Sequence, residues 1–180
     1  MKRHKGEEIY MGRGPMINLL SVSLILGASL GCEPPGDLAL PTESEAEAHY
    51  ASSTDLSVRV TGNIVEVSVE QPLAQVRRGG SLWVKVGPYI YLFTEETESL
   101  LQSYPGLSGV RVITRTNRSR SEVARAFLHR ESLNEITWRR AKNIAGKART
   151  DGTRRPVLLE DLVDWGQEHT DFAYSEEFVK

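Results

Sequence analysis

The chain contains one cysteine, Cys32, so it cannot form a disulfide within itself. Histidine is scarce as well: His49, His129 and His169 stand far apart, with no second ligand at the short helical or turn spacing that zinc and related metals need. Aromatic residues make up only 7% of the sequence. The most apolar stretch, Ile17 to Gly31, is uncharged but only about 15 residues long, short of the roughly 20 that span a bilayer as a helix. No G-x-S-x-G elbow, no S-x-x-K and no cysteine beyond position 32 mark a nucleophile. Gly79-Gly80-Ser81 lacks the lysine of a phosphate loop. These absences exclude a disulfide scaffold and the nucleophile and phosphate-loop motifs, and the sequence implies neither cofactor nor resident metal. Acid–base chemistry assembled only in space stays open, because carboxylates and histidine suffice for it.

The front of the chain is informative. Lys2, Arg3, Lys5 and Arg13 precede the apolar stretch, and Gly27, Ala28, Ser29 and Gly31 crowd its end. A charged start, a short apolar core and small residues before a boundary describe a secretory signal. Met11 and Met16 offer alternative starts to the same signal. Ser29-Leu30-Gly31-Cys32 resembles a lipobox, the site at which bacterial lipoprotein precursors are lipidated on cysteine and cut before it. Gly31 and Cys32 follow that pattern, while Ser29 and Leu30 stand in reverse order. The resemblance covers residues 11–32 only. It implies a signal peptide over 1–31, lipid on Cys32, and an exported protein held on the cell membrane or outer membrane; Glu33 in place of an inner-membrane-retaining aspartate points to the outer one. More than one acyl chain makes such an anchor stable.

Residues 33–55 contain Pro34, Pro35, Gly36 and Pro41, then Glu43, Glu45 and Glu47, with little to bury. The composition predicts a disordered tether, so the domain is expected over 56–180. About 125 residues suffice for a core without disulfide or metal.

Within that domain, Leu56–Val69 alternates apolar and polar residues around Thr61-Gly62-Asn63, the pattern of a hairpin. Trp83, Val86, Ile90, Phe93, Thr97, Leu100 and Tyr104 recur at steps of three and four. This predicts helices broken at Gly79-Gly80 and Gly87-Pro88, the firmest running from about Pro88 to Ser103. Val110–Arg115 and Val123–Leu128 predict two more strands. Ser132 and Glu135 have the spacing of a capping box that opens a helix ending at Gly152, with Leu133, Ile136, Ala141 and Ile144 inward. Pro156 opens a last helix burying Leu159, Leu162 and Trp165, and Phe172 and Tyr174 alternate in an extended tail. The expected fold is α+β: a small antiparallel sheet of about four strands with helices packed on one face.

Charge is the strongest remaining signal. From Arg111 to Arg155, arginine and lysine far outnumber acids; from Pro156 onward seven acids face only Lys180, although the whole chain carries a net charge of −2. Arg118, Arg120, Arg139, Arg140 and Lys142 are the candidate contacts to a polyanion. Asp161, Asp164 and Glu168 share one helix face, which reads first as a solvated surface and second as a hard-cation site. Nucleic acid is disfavoured by the export signal and by the absence of aromatics among the arginines. The leading expectation is a lipid-anchored envelope protein whose domain binds or scaffolds an envelope protein or polymer. The alternatives are an envelope hydrolase with an acid–base site near the last helix, and a polyanion or nucleic-acid binder working through the Arg-rich band 111–155.

Overall fold

The computed structural model describes residues 38–53 and 56–179. The expected signal peptide, the lipobox-like Ser29–Cys32 and the first residues of the expected tether lie outside the described residues. The elements are helix α1 (Glu43–His49), strands β1 (Leu56–Thr61) and β2 (Ile64–Gln71), helices α2 (Leu73–Leu92) and α3 (Glu95–Ser103), strands β3 (Gly109–Thr116) and β4 (Glu122–His129), helices α4 (Glu135–Asp151) and α5 (Val157–His169), and strand β5 (Asp171–Tyr174).

The fold is α+β, and the strands form one sheet in chain order, β1-β2-β3-β4-β5. Two-residue alternation gives it two unlike faces. Val58, Val65, Val67, Val69, Val110, Val112, Ala126 and Leu128 point to the helices and share a single core with Tyr89, Phe93, Leu100, Leu159 and Leu162. The opposite face carries Arg59, Glu66, Ser68, Arg111, Arg115 and Arg125. Ile113 lies on that polar face yet is 4% exposed. The stems of neighbouring arginines are long enough to cover it.

The sheet is larger and more mixed than the sequence pattern predicts. The 171–174 tail becomes a fifth strand, pairing antiparallel with β4 from Ala124↔Tyr174 to Phe127↔Asp171. The β2–β3 pair is parallel, whereas the other three neighbours are antiparallel. The physical reason is the connection: α2 and α3 form a crossover long enough to return the chain in the same direction.

Four local expectations are corrected. The tether of 33–55 is in part folded, because Thr42 caps α1 in a reciprocal box with Glu45, and Ala46 and Tyr50 enter the core. The 88–103 helix is instead two: Pro88 lies inside α2, and Thr94, whose hydroxyl accepts from the Thr97 amide, opens α3. Of the two breaks expected, the one at Gly79-Gly80 is present, at Gly80, whose φ of 61° and ψ of −157° suit glycine alone, and the one at Gly87-Pro88 is not. The cap of α4 is Asn134, not Ser132; its side chain accepts from the amides of Ile136 and Thr137. Ile136 faces outward, 75% exposed, because it lies about 200° round the helix from Trp138, which enters the core at 6% with Ala141, Ala145 and Ala148.

α5 packs on α2 where Gly166 meets Tyr89. A Cβ at Gly166 would come within 2.5 Å of the tyrosine ring, so the approach requires glycine. Burial pushes the Tyr89 phenol well above its ordinary range, against a hydrogen bond donated by Thr170. Among the described residues no helix is long and apolar enough to cross a membrane.

Candidate functional site

α4 and α5 are joined by the short turn 152–156 and run antiparallel, since Gly152 meets Leu159 and Arg140 meets Trp165. Between them lies an open groove of about 700 Å³. One wall is basic, with Arg139 and Arg140 from α4. The other is acidic, with Asp161, Asp164 and Glu168 from α5. Ile136, Asn143, Ile144 and Trp165 complete the lining. The acidic wall follows from helical geometry: steps of three and four place its three carboxylates in one row.

Trp165 is the hinge of this arrangement. The Arg140 guanidinium lies over its indole at 4.4 Å from the ring centroid, a favourable cation–π geometry. The His169 ring stacks on it at 4.0 Å. His169 Nδ1 lies 2.9 Å from the Trp165 carbonyl, and a carbonyl only accepts, so Nδ1 carries the proton. Trp165 is 7% exposed, yet its buried Nε1–H has no hydrogen-bond partner among the described residues, an unusual state for a buried donor.

The two walls do not pair with each other. Arg139 bonds only the exposed Glu135 one turn back, at 3.0 Å, an interaction worth about 0.3–0.5 kcal/mol. No ion pair reaches Arg140, Asp161, Asp164 or Glu168 among the described residues.

The other candidate cations are placed differently. Lys142 faces α3, where its ammonium meets Glu95 at 2.9 Å and Glu98 at 2.6 Å. Hydrogen bonds to Glu98 and then Glu95 hold its pKa above the ordinary lysine value. Arg118 and Arg120 sit in the β3–β4 turn; Arg120, with a left-handed φ of 55°, reaches Glu70 at 3.6 Å. The five residues proposed for polyanion contact therefore belong to separate places, and only Arg139 and Arg140 line the groove.

The rest of the basic band is largely occupied inside the fold. Arg111 pairs with Glu66 at 3.6 Å and lies over Phe127; Arg125 pairs with Glu122 at 3.0 Å. Arg130 donates to the carbonyls of Leu107 and Tyr104, and Arg149 to those of Ala145 and Phe93. Of these carbonyls, those of Phe93 and Tyr104 belong to the C-caps of α2 and α3, where helices leave acceptors to be satisfied. The acidic end of the chain is not the partner of this band. Among the described residues, only Asp171 of its acids makes such a contact, accepting from His129 Nε2 at 2.9 Å on the exposed sheet face.

The groove's two charged rows are visible in the sequence; their juxtaposition is not, because Arg140 and Trp165 are 25 positions apart and meet only through the antiparallel turn. The apolar pattern predicts Trp165 as core and Ile136 as inward; Trp165 is core and also lines the groove, and Ile136 stands at its rim. Among the described residues no group of three or more His, Cys, Asp or Glu side chains is arranged to hold a metal ion. No family model matches the chain, and no curated protein or solved structure matches it either.

Proposed function

We propose that this is an exported lipoprotein, held on a bacterial envelope membrane by lipid on Cys32, whose α+β domain binds a partner through the α4–α5 groove. The observation that carries the binding part is the groove's opposed and unmatched walls. Exposed charges held near each other without pairing add little to stability, whereas they give register and selectivity to a partner with the complementary pattern. The lining offers carboxylates, guanidiniums, an amide and an indole, a set suited to recognition. His169, stacked on Trp165, is engaged through Nδ1 with the Trp165 carbonyl, and His129 pairs with Asp171 on the sheet. This favours binding over the envelope hydrolase. A purely polyanionic partner fits poorly, since the acidic wall would face it across the groove.

The anchoring part is supported by the signal-like leader and the lipobox-like Ser29–Cys32. Growth with labelled palmitate should label the wild-type chain, and Cys32→Ala should abolish both label and membrane retention after a high-salt wash. Unlabelled wild-type protein in a competent bacterial host would contradict it.

A further inference from the structure

We infer that the occupant of the α4–α5 groove is the same groove of a second copy of this chain, forming a symmetric dimer. The inference rests on the reading of the domain as a binding module and supplies its partner.

A symmetric interface must be complementary to itself. A groove with one basic and one acidic wall meets this condition in one arrangement: a twofold axis along the groove lays α4 of each copy over α5 of the other. The antiparallel geometry preserves level along that axis. Arg140 is level with Trp165 within one copy, so Arg139 and Arg140 come opposite Asp164 and Glu168 of the second copy. Both contacts occur twice, and charges unmatched in one copy become matched in two.

Three further observations favour this occupant. Ile136, at the groove's rim, is the most exposed large hydrophobic residue described, at 75%, and a facing copy would cover it. Nucleic acid, an anionic lipid surface or a basic peptide would each be attracted by one wall and repelled by the other. The same groove of a second copy presents both rows at matching levels. Anchoring by lipid also confines copies to one surface, so a contact weak in solution becomes populated there, as tethering does for any bimolecular contact.

The test is charge reversal with complementation in the full chain. Two differently tagged copies are co-expressed in a bacterial host, extracted from membranes in mild detergent at low salt, and purified through one tag. Wild-type copies should co-purify, and raised salt should weaken them. Arg139→Glu with Arg140→Glu makes both walls acidic, and Asp164→Lys with Glu168→Lys makes both basic; each double variant should fail to co-purify with itself. Co-expressed with each other, the two variants should co-purify again, because each acidic wall now meets a basic one. Circular dichroism confirms that each variant is folded before it is scored. Failure of wild-type copies to associate, association unchanged in either reversal, or no restoration in the complementary pair would overturn the inference. A photo-crosslinker at Asn143 separates the two levels of the argument. An adduct with a different protein, in the absence of self-association, overturns the dimer and keeps the binding groove; no adduct at all removes both.

Discussion

Helix α4 has two charged sides that differ in what their charges do. On the side toward α3, Lys142 sits between Glu95 and Glu98, and Glu98 is itself 15% exposed. Helix α3 also holds α1 in place: the Tyr50 hydroxyl lies 3.0 Å from that of Thr97, and Ser52 donates to Glu96. On the side toward α5, Arg139 and Arg140 face three carboxylates and pair with none of them. Matched charge along the first side belongs to the fold; opposed but unmatched charge along the second belongs to an interaction. Sequence alone does not separate them, since Arg139, Arg140 and Lys142 lie within four positions.

The comparison can be broken most forcefully at the α1 seam. Tyr50→Ala removes a buried ring, at 3% exposure, and should lower stability by about 3 kcal/mol, within the range for large aromatic truncations. Urea denaturation of the full chain measures this. A change near zero would mean that α1 is an ornament on the domain rather than part of it.

Lys142→Gln should cost about 1 kcal/mol in the same assay, more than an exposed pair, because Glu98 loses a close partner in a poorly solvated place. Alkaline pH should mimic it. The folded pKa of Lys142 is raised, so its contribution is complete below the ordinary lysine value and is lost as pH rises through the raised value.

A smaller and opposite pH effect is expected on α1. Hydrogen bonds from the Thr42 amide and hydroxyl hold Glu45 below the ordinary carboxylate value. At Glu96 burial raises the pKa, but hydrogen bonds from its own amide, Thr94 and Ser52, with the charge of Arg149, outweigh it and the net direction is down. Groups with lowered pKa stabilise above the unfolded value and lose that contribution as pH falls through the folded one. The protection of α1 amides, taken relative to the intrinsic exchange rate at each pH, should therefore fall on acidification below the ordinary glutamate range, ahead of protection in β2 and β3. Equal loss in all three would contradict local control by these carboxylates.

The smallest stability effect should come from the groove. Arg139→Gln with Arg140→Gln should change unfolding free energy by about 0–1 kcal/mol, while abolishing self-association. Binding of the wild-type domain to polyanions at physiological salt should be weak, because Arg118 and Arg120 lie in another part of the fold and Arg120 is paired. Steep, salt-sensitive polyanion binding lost in this double variant would move that function to the groove.

Much of the fold is legible in the residues. The alternation of Leu56–Val69 and Val110–Arg115 dictates strands with one wet face, and the Pro156 start and apolar stripe of α5 are local properties. What escapes is decided by tertiary context. Asp171–Tyr174 is too short to declare itself a strand without β4 beside it. The parallel β2–β3 pair depends on the span of two helices, not on any residue in either strand. α1 looked like tether because its composition is acidic and its core residues are few, yet a capping box plus Ala46 and Tyr50 is enough to dock a two-turn helix. At the groove, each charged row is legible from helical spacing, but Ile136 does not share the stripe of Trp138, Ala141, Ala145 and Ala148 that the core selects, and nothing local reports that Arg140 meets Trp165.

The central claim is that α4 interacts through its unmatched side and not through its matched one. In-cell photo-crosslinking of the full chain from Asn143, in the groove, against Gln102, on α3 beyond the Lys142 seam, tests it directly. The account predicts an adduct of twice the chain's mass from Asn143 and none from Gln102. No adduct from Asn143, or equal adducts from both positions, would contradict it.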